Sequence, residues 1–173
     1  MKSTFAFDAT INTTIPDFMD ASAPLDQLGA AIVNDIQKHI RQGISPVTEK
    51  PFHPLERSTK EKKRTPKVAR TLMFGPDTAL VRKGIMYRAI HAYKTSNNTL
   101  NIGVIPRKGL YGDSTPRDQV ASFQQFEGVG PARTTREFMG LSPMMIAQIN
   151  TRMRRWIESR IKNATKKYLK IKT

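Results

Sequence analysis

Gly128-Val129-Gly130-Pro131 constrains this 173-residue chain more than any other stretch, because neither a helix nor a strand can run through it. Glycine opens backbone angles that other residues avoid, and proline fixes φ and removes a donor, so whatever carries Phe123 and Phe126 must stop and turn there. A start signal follows the stop. Ser142-Pro143 reads as an N-cap with proline at the first helical position, and Leu141 with Ile146 has the spacing of a hydrophobic staple. Phe138 and Leu141 flank the flexible Gly140 as apolar anchors. Residues 123–142 are therefore expected to form a rigid corner that aims a helix beginning near Pro143.

That helix has a two-sided pattern. Met145/Ile146, Ile149, Met153, Trp156/Ile157, Arg160/Ile161 and Ala164 recur at three- and four-residue steps, while Arg152, Arg154, Arg155, Glu158 and Lys162 mostly lie off the stripe. Charge runs of this kind ordinarily mark a solvated face, and the apolar side is sized for a protein core rather than a membrane surface. The tail, 163–173, alternates lysine with apolar residues and reads as flexible until it meets a partner.

Upstream, Asp20 and Ser22 followed by Pro24 mark a helix start. Leu25, Leu28, Ile32, Ile36 and Ile40 then share one face, and Gly43 ends the helix. Five prolines between 44 and 76, with the basic run Lys60-Glu61-Lys62-Lys63-Arg64, point to an extended arm carrying at most a short helix near 59–64. Alternation in 85–93 (Ile85, Tyr87, Ala89) and in 99–105 (Leu100, Ile102, Val104), joined by Ser96-Asn97-Asn98, predicts a β-hairpin. A third strand is expected near 78–82, a loop over 106–116, and a helix over 117–126. The expected fold is α+β: an N-terminal amphipathic helix, a long Pro-rich basic arm, a small antiparallel β-sheet and two C-terminal helices. Residues 1–173 are read as a single domain, a length that buries about 70% of the unfolded surface.

The formal net charge is +15, and its distribution is uneven. Up to residue 35 the acids Asp8, Asp17, Asp20, Asp26 and Asp35 face only Lys2, whereas the nine bases between Arg152 and Lys172 face only Glu158. One acidic end and one basic end suit nucleic acid, an acidic protein partner, or head-to-tail contact between copies of the chain.

Catalytic chemistry finds little footing. His39, His53 and His91 lack partners at metal-ligand spacing, there is no cysteine, and no phosphate loop or nucleophile elbow is present. Gly128-Val129-Gly130 has no third glycine and no preceding strand, so it is a turn rather than a dinucleotide site. No catalytic residue, metal site or cofactor is assigned. No apolar run of 18 residues and no signal-peptide core is found, so no membrane partner is expected.

Gln125-Phe126-Glu127-Gly128, Pro131-Ala132-Arg133 and Phe138-Met139-Gly140-Leu141-Ser142 stand in an order that resembles the phage virion morphogenesis family, the Mu-type tail completion or neck proteins of tailed bacteriophages. Pro54-Leu55 with Ser58-Thr59 and Lys62/Lys63, then Leu80, Gly84-Ile85 and Tyr87, echo two further segments of that family. Thr134-Thr135-Arg136-Glu137 makes the spacing between Arg133 and Phe138 longer than usual, and the similarity spans roughly 45–161. The resemblance implies a non-enzymatic head-tail connector: a homo-oligomeric ring, six-fold or larger, at the head-tail junction of the virion, made in the host cytoplasm. Its partners would be other neck proteins, the tail tube or sheath, and genomic DNA passing through the lumen. Arg133, Arg136, Phe138, Arg152, Arg155, Lys62, Lys63 and Arg64 are the candidate interface residues. The competing expectation is a basic nucleic-acid-binding protein of the nucleoid or ribosome, which the charge favours and the scarcity of aromatic residues near the basic runs disfavours.

Overall fold

The structure, a computed structural model, describes residues 20–70, 72–75, 77–80, 85–104, 121–128 and 134–171. Its centre is helix α1, Ser22–Gln42, whose residues Leu25, Leu28, Ile32, Ile36 and Ile40 are all buried along one face. Full burial of a branched aliphatic side chain contributes about 1.5–3 kcal/mol, so this stripe is the main apolar investment of the fold. At its start the Asp20 carboxylate accepts the Ser22 N–H (2.8 Å). At its end Gly43 adopts a left-handed conformation (φ 73°) and donates its N–H to the His39 and Ile40 carbonyls, a turn that glycine makes without steric cost.

The chain after α1 is not a free arm over its whole length. Ile44 bridges to Pro51, and Ser45 and Phe52 donate backbone N–H groups to the Lys50 and Gly43 carbonyls (2.8 and 2.7 Å). Ser45, Pro46 and Phe52 are buried as a result. The prolines that make this stretch look extended lie between donors that close its backbone bonds, and Pro46 and Phe52 add apolar surface to the core. Two helices follow, α2 (Arg57–Arg64) and α3 (Pro66–Ala69). Residues 78–80 are not a strand: the Thr78 carbonyl accepts the Lys63 ammonium (2.7 Å) and Leu80 has φ 63°. Residues 81 and 82 of the expected third strand lie outside the described residues, as do the 106–116 loop and 117–120 of the expected helix.

The hairpin exists but starts later than the alternation suggests. A helical turn, α4 (Ile85–Arg88), precedes strand β1 (Ile90–Ser96), which pairs antiparallel with β2 (Thr99–Val104) in the register Ile90–Val104, Ala92–Ile102 and Lys94–Leu100. Tyr87 is buried, but its ring meets Phe74 edge-on (5.4 Å), its carbonyl accepts Gln37 Nε2 and its hydroxyl accepts Arg41 Nη2 (both 3.1 Å). Three apolar residues at period two fit either a strand or the approach to one, and these contacts with α1 select the turn.

The two strands rest on α1, and Gly29 of α1 faces them directly. A Cβ at Gly29 would lie 2.8 Å from the Ala92 Cβ and 3.3 Å from Leu100 Cδ1. The exposed Lys94–Asp26 ion pair (2.8 Å) closes the same contact from its edge. The last helix, α5 (Pro143–Ile171), packs on α1 through Met145, Ile149 and Met153.

Gly29→Ala is therefore a test of packing against propensity. Alanine favours a helix interior by about 1 kcal/mol over glycine, but overpacking against the backbone-anchored Ala92 costs about 1–3 kcal/mol. The expected result in urea unfolding is a net loss of stability, whereas Gly75→Ala, where an added methyl meets nothing within 4 Å, should be near neutral.

Candidate functional site

Residues 121–127 are helical, the last five, Phe123–Glu127, in π geometry, and the turn ends at Gly128 (φ 75°). This short helix presents two glutamines to the corner. The Gln125 carboxamide is buried, its Oε1 accepts the Phe138 and Met139 N–H groups (2.9 and 3.0 Å), and its Nε2 donates to the Met139 carbonyl (3.1 Å). One side chain thus does for residues 138–139 what a neighbouring strand would do. Gln124 holds the residue before them: its carbonyl accepts the Arg136 N–H (2.7 Å) and its Oε1 accepts Arg136 Nη1 (3.3 Å). With the backbone satisfied, Phe138 and Met139 can be buried completely in the core. A Cβ on Gly140 would collide with Val47 Cγ2, so a larger residue there would have to displace the Val47 side chain for the corner to lie against the 45–49 turn.

Ser142 then joins the corner to both long helices. Its Oγ accepts the Met145 N–H (3.1 Å) as the cap of α5 and donates to Asp35 Oδ2 (2.9 Å) on α1. Asp35 and Ser142 are buried, and His39 Nδ1 lies 2.8 Å from the Asp35 carbonyl and 3.5 Å from Asp35 Oδ1. Both neighbours of that nitrogen are oxygens, so Nδ1 carries the proton. Serine, histidine and aspartate meet here, yet the hydroxyl faces the carboxylate rather than the imidazole and is engaged as a cap. Its chemistry is structural. Leu141 packs against the core while Ile146 is 46% exposed, so the expected staple gives way to this hydrogen bond as the device that sets the helix angle.

Beyond Met153 the helix leaves the body. Trp156 and Ile157 are half-buried, and every residue from 158 to 165 is exposed. The Arg160 guanidinium covers the Trp156 ring at 5.6 Å, an exposed cation-π contact of about 0.5–1 kcal/mol. Arg152, Arg154 and Arg155 are exposed where Met153 between them is buried.

Of the interface residues expected from sequence, Arg152, Arg155 and Lys62 are exposed, and Arg64 is exposed but paired with Asp77 (3.2 Å). Three others are inside the fold. Phe138 is fully buried, Lys63 is buried with its ammonium on the Thr78 carbonyl, and Arg136 is buried with its Nε lacking a hydrogen-bond partner. Arg136 is thus not the exposed arginine that its sequence context suggests, and burial holds its pKa below the ordinary value while the Glu56 carboxylate pulls the other way. Arg133 lies outside the described residues. Among the described residues no cluster of three or more histidines, cysteines or carboxylates is placed to hold a metal, and no helix is long and apolar enough to cross a membrane. Sequence reading missed Asp35 and Gln125 as organisers. Asp35 carried a signal, a carboxylate next to Ile36 on the apolar stripe; Gln125 stood in the Gln125-to-Gly128 segment of the resemblance, but nothing there marked its carboxamide as a buried partner for 138–139.

Comparison with protein families, with characterised proteins and with solved structures finds no match for this chain.

Removing the Gln125 side chain leaves two N–H groups and a carbonyl buried without partners, so Gln125→Ala should cost about 3 kcal/mol in urea unfolding. Ser142→Ala removes a cap and a donor to a buried carboxylate together and should cost about 2–3 kcal/mol, above the roughly 1 kcal/mol of an isolated cap. Arg136→Leu should be neutral or stabilising by up to about 2 kcal/mol, since it removes a buried and incompletely bonded cation.

Proposed function

We propose that this chain is a structural virion protein of a tailed bacteriophage, a ring-forming subunit of the head-tail connector that completes the neck or tail. Two things support the reading. One is the order of Gln125-Phe126-Glu127-Gly128, Pro131-Ala132-Arg133 and Phe138 to Ser142, which resembles Mu-type tail completion proteins. The other, which carries it physically, is a helix locked at one end and exposed at the other: α5 is fixed through Ser142 and Asp35, then projects a basic length in which every residue from 158 to 165 is exposed.

A ring closes only when every subunit meets the next at the same angle. A helix whose start is held by buried hydrogen bonds supplies a constant angle, and Arg152 and Arg155 on its outer side supply a contact for a neighbour's acids. Asp20 of a neighbouring copy, exposed before the start of α1, is suited to receive them. DNA would pass the lumen without tight phosphate contacts, which would slow it.

The same exposed bases also favour a nucleic-acid-binding protein, and one pair of measurements separates the two. Native mass and electron microscopy of the free protein, or of the protein with a tail-tube partner, should give a closed ring. Arg152→Glu with Arg155→Glu should raise the concentration needed for assembly about tenfold or more, exposed charge contacts being individually small but repeated around the ring. Arg136→Leu should leave assembly intact. Tight, steeply salt-dependent DNA binding by a monomer or dimer would overturn the connector reading in favour of the other.

A further inference from the structure

Helix α5 outlasts the helix it packs on. Ser142 meets Asp35 at the start, and Met145, Ile149 and Met153 are buried beside α1, so the two helices run antiparallel. From Asp35 back to the first residue of α1, Ser22, is thirteen positions, which at about 1.5 Å each also carries α5 only from Ser142 to Arg155. The side chains agree: Trp156 and Ile157 are half-buried and residues 158–165 are exposed. Arg160, just past that point, is one of the cations acting on the Asp20 carboxylate, with Lys94. The N-terminal end of α1 and the base of the projecting helix are therefore neighbours.

The projecting part carries a seam of its own. Ile157, Ile161 and Ala164 follow at four and then three residues, and the sequence continues the spacing with Tyr168 and Ile171. This is the spacing by which a helix receives an apolar partner, and it prolongs the Met145, Ile149, Met153 stripe past the point where α1 ends. Ile161 is 53% exposed. A second α5 is a poor occupant, because from residue 158 on the sequence holds six bases and one acid, Glu158, and two such helices repel. The occupant should be apolar and acidic.

Residues 1–19 have that composition: Phe5, Phe7, Ile11, Ile15 and Phe18, with Asp8 and Asp17 against the single base Lys2. They join the fold at Asp20, beside the base of the seam. Covering 158–171 needs a reach of about 21 Å, far less than nineteen residues can span. A tether this short holds the segment at an effective concentration in the millimolar range, which favours the same chain over a second copy.

We infer that the seam of Ile157, Ile161 and Ala164 on α5 is a docking surface for residues 1–19 of the same chain. The docked segment covers the apolar side of the projecting helix and brings its carboxylates toward the exposed Arg160 and Lys162. Arg152 and Arg155 lie away from the seam, so they stay free for another partner, and the inference does not depend on the proposed function.

The chain has no cysteine, which makes a pair of introduced ones unambiguous. In full-length Phe18→Cys/Ile161→Cys protein, a short bis-maleimide should join the two sites within one chain. Hydrogen exchange of full-length Ile11→Asp/Ile15→Asp protein should be about tenfold or more faster over 157–171 with 145–153 unchanged. Cross-links that join two chains would overturn the inference in favour of an exchanged segment. Absence of a cross-link with unchanged exchange, or equal acceleration along all of α5, would overturn it outright.

Discussion

The hydrogen bond from Ser142 Oγ to Asp35 Oδ2 joins residues 107 apart in sequence, and the placement of α5 depends on it. A buried carboxylate is costly unless donors reach it. Asp35 sits on the face of α1 that would otherwise be wholly apolar, so α1 can bury that face only if a donor arrives from elsewhere. Ser142 is that donor, and because the same oxygen caps α5, meeting the need of one helix fixes the start of the other. His39, one turn further along α1, packs its Nδ1 against the carbonyl and carboxylate of the same residue and completes the cluster.

Upstream of Ser142 the same logic recurs in neutral form. Residues 136–139 belong to no strand among the described residues, and Gln124 and Gln125 satisfy their backbone groups instead. Phe138 and Met139 can then enter the core with their backbone satisfied. Gly130 and Pro131 lie outside the described residues. Of the described corner, Gly128 and Gly140 permit the turn, and the two carboxamides and the serine hold it.

Local signals were legible where a residue's role is set within a few positions. The stripe from Leu25 to Ile40, the stop at Gly43 and the cap at Ser142 depend only on spacing and backbone conformation, and each stands where its pattern places it. The hairpin was legible as a pair but not in its limits, since Tyr87 continues the alternation while serving a helical turn against Phe74 and Arg41. The prolines between 44 and 56 read as an arm because proline reports what a backbone cannot do, not what its neighbours do around it. Interface residues were the least legible. Lys62, Lys63 and Arg64 are consecutive and chemically alike, yet one is exposed, one is buried on a carbonyl and one is ion-paired.

The sequence by itself determined two amphipathic helices, a break between them and a charge gradient from acidic to basic, because periodicity, capping and net charge are properties of neighbouring residues. Only the tertiary structure decided which charges are surface and which are interior. It moved Arg136 and Lys63 inside, gave Asp35 its donor and left α5 projecting beyond α1 with Ile161 uncovered. The physical reason is that desolvation and hydrogen-bond satisfaction are set by what lies across the fold, and a side chain's partner there is fixed by the packing of whole elements rather than by the residues beside it in the chain.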